Sequence, residues 1–319
     1  MTNESLAGYA NLSLYSAMAV FTIAMVCHAV YLAALLPARD RLRAGAAERD
    51  RQLVGAGAPL PAEAPARPEL SSRAAKAAGI GSTTTWLGGF LLLLSVALRG
   101  VAVHRWPLGN MFEFAVMGSM FTVLAYSIWS TRRDLRWLGL FITGPVLLVL
   151  GMAVAVWYTE ASELMPSLRS YWLVIHVTVA TLATAVFTIG AALSVVYLLK
   201  DAFERSGRAS VLDRFPETPA IERTAYSLHI VAFPLWTFTL IAGAIWARQA
   251  WASYWNWDPK EVWTFVIWVV YAAYLHSRAT SGISRQTATY IALAGYACII
   301  VNFAVVNVFF VGQHSYSGL

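Results

Sequence analysis

Eight stretches of this chain run for about 20 residues with almost no charge, the length an α-helix needs to cross the hydrocarbon of a bilayer. Lipid offers no hydrogen bonds, so a segment there must satisfy its own backbone, and an isolated segment does so as a helix. The stretches are Leu12–Leu36, Thr83–Val103, Met111–Ser130, Trp137–Trp157, Tyr171–Leu199, Tyr226–Ala247, Val262–His276 and Thr289–Val311. The seventh is short and is expected to begin near Pro259, because proline suits the first turn of a helix. Residues are 58% hydrophobic and only 13% charged, and the mean hydropathy is +0.58. A soluble domain carries roughly a quarter charged residues. The sequence therefore reads as an all-α polytopic membrane protein of about eight transmembrane helices.

The net charge of +6 invites a nucleic-acid reading, but the distribution of the charge argues against it. Eighteen of the 23 lysines and arginines fall in alternate loops, those after the first, third, fifth and seventh stretches. The positive-inside rule then places those loops in the cytoplasm and both termini outside it. The expected partner is the lipid bilayer of the cell membrane, with no nucleic acid. Residues 1–36 read as an N-terminal transmembrane helix and 37–82 as a basic, Ala/Pro-rich cytoplasmic linker without fixed structure. Residues 83–319 read as a seven-helix core carrying a tryptophan-rich extracytoplasmic loop at 248–262. The first stretch lacks a basic leader and is too long for a cleavable signal, so it reads as a retained span.

Several chemistries find no support. There is no CxxC or CxxCH, no phosphate-binding glycine loop, no dinucleotide fingerprint, no zinc spacing and no internal repeat. Cys27 and Cys298 lie in separate apolar stretches and read as packing residues.

What demands explanation is "QAWASYWNWDPKEVWTFVIW", Gln249 to Trp268. It holds Trp251, Trp255, Trp257, Trp263 and Trp268 around the polar run Asp258-Pro259-Lys260-Glu261. Tryptophans anchor many membrane proteins at the headgroup level, but a lipid belt does not require Trp-x-Trp-Asp-Pro-Lys-Glu. Two histidines, His176 near the start of the fifth stretch and His314 after the eighth, share the loop's side of the membrane. Neutral imidazole is a good iron ligand, and haem accepts two axial ones. Indole faces offer large flat contact areas to a macrocycle. Lys260 and Arg248 could neutralise propionates, and Asp258 and Glu261 could orient Lys260 or the loop backbone. A histidine at membrane depth is itself a functional pointer. His276 ends the seventh stretch at the opposite face, His28 and His229 lie within helices, and His104 follows the second stretch.

"AWASYWNWDPKEVW" resembles the tryptophan-rich WWD signature of haem-handling membrane proteins, and its Asp-Pro-Lys-Glu ending resembles the CcsA (ResC) type of the System II cytochrome c synthase. "YWLVIHV", "VVYAAYLHSR", "FFVGQHSYSG" and "HRWPLGNMFEF" are similar to the same family, and the likeness runs from about Arg99 to the C-terminus. One departure is Ala252, where the family usually has glycine; a positive φ would be disfavoured there. The resemblance implies cytochrome c biogenesis with a ResB-type partner, with haem b held outside the membrane and joined by thioether bonds to the CxxCH of apocytochrome c. It also implies a thioredoxin-like pathway that keeps those thiols reduced. It further implies that His176 and His314 ligate haem iron at the reacting site, and that Trp251, Trp255, Trp257, Asp258, Lys260, Glu261 and Trp263 form its platform. His276 would serve a second haem whose other ligand comes from the partner, or less readily from His28.

Three other readings compete. A System I CcmC-type haem-delivery subunit shares the tryptophan-aspartate core but has fewer helices and a different sequence after the aspartate. An electron-transfer subunit with permanent haem would place both ligands within the bilayer and would purify fully loaded. A purely structural assembly subunit would leave the paired histidines without a purpose.

Overall fold

The computed structural model describes the backbone of residues 3–56, 71–164, 168–207 and 210–314, with the side chains of 36–56 excepted. Eight long helices account for nearly all of these residues: α1 Glu4–Ala56, α2 Ser72–Ala102, α3 Met111–Ser130, α4 Gly139–Ala155, α5 Tyr171–Arg205, α6 Thr218–Trp251, α7 Pro259–Ala279 and α8 Arg285–Ile300. α8 continues through a π-helical segment, Val301–Val306, into a last turn, Asn307–Phe309.

The chain is a polytopic, all-helical membrane protein. Among the described residues seven helices are long and apolar enough to cross a bilayer, one fewer than the sequence suggested. The exception is α7. Its 21 residues give about 31 Å of rise, enough to span, but tryptophan, tyrosine, Lys260, Glu261 and Arg278 lower its apolarity.

The helices also overrun the apolar stretches. α1 continues to Ala56 and α2 begins at Ser72, so helix takes up 37–56 and 72–82 of the segment expected to be unstructured. The run "RDRLRAGAAERDRQ" is rich in good helix formers, and the Ser71 side chain caps α2 by accepting from the Ala74 amide. Residues 57–70 of that segment lie outside the described residues.

Antiparallel pairing gathers alternate helix ends. The start of α1 meets the end of α2 through Asn3 N–H donating to Ala102 O, and Asn11 reaches Tyr158 just past α4. Ser170 before α5 bonds Gln249 near the end of α6, and Asn256 bonds Gln313 past α8. All of these lie at the end that carries the tryptophan loop. The opposite end is tied by charge: Glu222 of α6 pairs with Arg278 and Arg285, while Lys200 donates to Leu212 O. One apolar core joins α1–α4 to part of α5, and a second joins α5–α8 around Phe187, Trp236 and Tyr271.

Two histidines belong to this framework. His28 is fully buried with Nε2 3.2 Å from Thr85 Oγ1, and it lies in notches at Gly81 and Gly139. It is packed among α1, α2 and α4. His229 is boxed by Phe187, Tyr271 and Tyr274 and lies over Gly190.

Candidate haem-ligating site at the tryptophan end

The four residues Asp258-Pro259-Lys260-Glu261 first of all start a helix. Asp258 is the N-cap of α7, Pro259 opens its first turn, and Glu261 closes a capping box by accepting the Asp258 amide at 3.2 Å. Glu261 Oε2 also accepts the Asn256 amide at 2.8 Å, so one carboxylate fixes the loop backbone on both sides of Trp257. Asp258 holds the chain's other end as well. It accepts the Gln313 amide and lies 2.9 Å from His314 Nδ1. Burial alone would raise the Asp258 carboxyl; its bond and charge contact with His314 and the Gln313 and Lys260 amides hold it below the usual carboxylate range. Gly312 makes this docking possible, because a Cβ there would lie 2.2 Å from Asp258 Oδ1.

His176 is set by α6. Its Nδ1 lies 2.9 Å from the carbonyl oxygen of Thr239. A carbonyl only accepts, so Nδ1 carries the proton and Nε2 carries the lone pair. The ring fits a notch left by Gly243, where a Cβ would come within 2.7 Å of it. His314 Nδ1 likewise donates to the Asp258 carboxylate, which leaves Nε2 to carry the lone pair in the neutral ring. Imidazoles that bind metals almost always donate their other N–H to a carboxylate or a carbonyl. These two histidines show one arrangement of each kind.

Both histidines line one cavity of about 540 Å³ between α3, α4, α5, α6, α7 and α8, within the roughly 300–1,000 Å³ usual for ligand sites. Trp246 touches both rings: it is stacked on His176 at 6.1 Å and 13°, and edge-on to His314 at 5.6 Å. Its Nε1, together with Glu261 Oε1 and Asn302 Oδ1, is buried in the cavity wall without a hydrogen-bond partner among the described residues. Lys260 also lines the cavity and donates from Nζ to Asn302 O at 2.8 Å. A large apolar chamber with two lone-pair imidazoles, one amine and unspent polar atoms fits a haem with its propionates.

The remaining expected site residues separate into groups. Trp251 packs edge-on to His314 at 4.7 Å, and Trp255 lines the cavity. Trp257 is 77% exposed and perpendicular to Trp255, so these two indoles do not form one flat shelf. Trp263 is partly buried on α7 and is not part of the cavity wall. Arg248 is engaged with the Ala252 carbonyl and the Tyr254 ring. His276 is exposed near the far end of α7, about 25 Å of helix from Pro259.

Sequence reading did not single out Trp246, Gly243, Thr239 or Asn302. The first three fall at i, i+4 and i+7 along α6, one helical face. That spacing was the available signal.

The position that departs from the family pattern adopts the conformation that glycine favours. Ala252 ends α6 with φ 60° and ψ 14°, the left-handed region. An alanine there costs about 1 kcal/mol. Ala252→Gly is accordingly expected to raise unfolding stability by about that amount, read as a higher denaturation midpoint with haem-free protein in detergent. An unchanged or lower midpoint would contradict the strained backbone.

Fold and site together define a polytopic helical membrane protein with two histidines converging on one chamber at one end of the bundle. Residues 106–314 match the family model described as cytochrome C assembly protein, and the chain belongs to that family. It is similar to cytochrome c biogenesis proteins CcsA: 31% identical over 271 residues to that of Prochlorococcus marinus (strain MIT 9303), covering 74% of this chain and 85% of the relative. It is 29% identical over 267 residues to that of Guillardia theta, covering 75% and 86%. With the one from Chlamydomonas reinhardtii it shares 32% identity over 236 residues, covering 72% and 66%. The protein is thus a CcsA-type membrane protein of cytochrome c biogenesis.

Proposed function

We propose that this chain is the haem-handling subunit of a System II cytochrome c synthase, resident in the cell membrane with its tryptophan end outside the cytoplasm. Lys200, Arg278 and Arg285, described basic residues of those loops and helix ends, lie at the other end of the bundle, as that orientation requires. The substrate is haem b, taken across the membrane and held at the outer face with the help of a ResB-type partner. The observation that carries the reading is the pair His176 and His314, facing one chamber with each Nδ1 committed to an acceptor.

In this role His176 and His314 ligate the iron, while Lys260 and the tryptophans hold the edge and faces of the macrocycle. Each thioether forms when a thiol of apocytochrome CxxCH adds across a vinyl group. One C–S bond and one C–H bond form, and the thiol proton ends on the vinyl carbon. The addition is redox-neutral, so the thiols must arrive reduced, from a thioredoxin-like pathway. Positioning is the main contribution, because it makes a bimolecular addition effectively unimolecular. The CxxCH histidine then replaces one of the two ligands as product forms. His276, exposed at the other end, is the position for a second haem completed by the partner.

Dithionite-reduced absorption spectra of the chain, alone and with its partner, provide the test. His176→Ala and His314→Ala are expected to lose the bis-histidine spectrum and to make no holocytochrome c, with partial recovery on adding imidazole. Normal holocytochrome yield from both variants would overturn the assignment. A spectrum lost only in His276→Ala would move the haem to the opposite end.

A further inference from the structure

The chamber has a side entrance. Leu148, Val149 and Met152 of α4 and Ile300 of α8 line it, yet Leu148 is 69% exposed and Ile300 51%. α4 packs mainly on α1 and α3, and α8 on α5 and α7, so the two helices share no extensive packed face. At the tryptophan end the gap is closed by Phe303, stacked on Phe114 at 5.3 Å and edge-on to Trp157 at 5.0 Å. Leu148 lies nine residues before Trp157 and Ile300 three before Phe303. Leu148 is thus about 13 Å of helix below Trp157 and Ile300 about 5 Å below Phe303, which keeps the opening within one leaflet of a core about 30 Å thick.

We propose that this cleft is a lateral portal through which an amphipathic planar macrocycle enters the histidine chamber directly from the adjoining leaflet. The inference rests on the proposed haem reading and adds a route to it. The lips are apolar, as the faces and vinyl edge of such a ligand require. Lys260 lies in the same chamber, on the first turn of α7 at the tryptophan end, where a propionate edge at headgroup level would meet it. Both jambs are irregular helices. Pro145 removes a hydrogen bond within α4, and the Val301–Val306 segment is π-helical. A small movement of either jamb would move Phe303 or Leu148 without unfolding a helix.

The portal can be plugged after folding. Leu148→Cys and Ile300→Cys, each with Cys27 and Cys298 replaced by alanine, are modified in purified full-length protein with pyrene maleimide. The rate of haem uptake from haem-loaded phosphatidylcholine vesicles is then followed by the bis-histidine spectrum. Modification at either lip is expected to slow uptake at least tenfold, while haem loaded beforehand keeps its spectrum. The same modification at Val101→Cys, exposed on α2, should leave the rate unchanged. Equal rates with plugged and open lips would overturn the portal while leaving the haem site standing. So would thiols at 148 and 300 that the ResB-type partner shields without slowing uptake, since the cleft would then be the partner's seat. A chain that takes up no haem in any form would overturn both readings.

Discussion

Replacing Gly243 by valine is expected to remove the bis-histidine haem spectrum and cut holocytochrome c formation by at least about tenfold, in protein that still folds. The imidazole of His176 occupies the space where any Cβ at 243 would sit, 2.7 Å from Cε1 and 3.0 Å from Nδ1. Contacts that short force the ring off the Thr239 carbonyl, which sets both its tautomer and its direction. Displacements of about 1 Å at a reacting centre can cost 10²-fold. Gly144→Val is the matched control, because a Cβ at 144 meets nothing within 4 Å. Helicity and elution volume establish that both variants fold, and spectra with holocytochrome yield give the result. A Gly243→Val protein with normal spectrum and yield would mean that His176 does not ligate from this pose.

The second large effect is expected at Asp258→Asn. Asp258 receives the Lys260 amide, the Gln313 amide and His314 Nδ1, so one carboxylate starts α7 and docks the tail that carries a ligand. An asparagine keeps one accepting oxygen and turns the other position into a donor, facing groups that already donate. Hydrogen bonds to charged groups contribute about 1.5–3 kcal/mol, so haem affinity should fall about tenfold to a hundredfold. Loss should be selective for His314: the spectrum shifts from two axial histidines to one, and added imidazole restores the first form. An unchanged spectrum with unchanged affinity would remove Asp258 from the positioning role. Because the folded-state carboxyl lies below its ordinary range, the docking it supplies is fully present above that range. It is lost as pH falls through the lower folded value, so this part of tail docking weakens below about pH 4.

Much of the fold could be read along the chain, because the bilayer imposes a length on each apolar segment. α3 begins and ends where hydropathy placed it, at Met111 and Ser130. The overruns of α1, α2 and α6 occur where charged but helix-favouring residues continue past the lipid, which a hydropathy reading does not register. α7 shows the opposite failure: its first turns present Lys260, Glu261 and Thr264 to a chamber and tryptophans and tyrosines follow, so it is a helix of full length without full apolarity. The site was legible where chemistry is local. Asp258, Pro259 and Glu261 form a helix start within four residues. What was not legible is contact across helices. Nothing in the sequence near His176 announces that Thr239 will hold it or that Gly243 will make room. Nor does the loop announce that Trp246, rather than Trp257 or Trp263, will touch both histidines.

The π-helical segment at Val301–Val306 has a consequence for the direction of the tail. A helix turns its side chains by about 100° per residue, and a π-turn takes up one residue more than an α-turn would. Everything after Val306 is therefore rotated relative to the face that α8 presents lower down. The lower face packs Ile299 and Ala292 into the core, while the rotated last turn gives way to extended Phe310 before Gln313 and His314 reach Asp258. The extra residue works as a phase adjuster between the face of α8 that packs in the core and the last turn, from which extended Phe310 leads the tail toward Asp258.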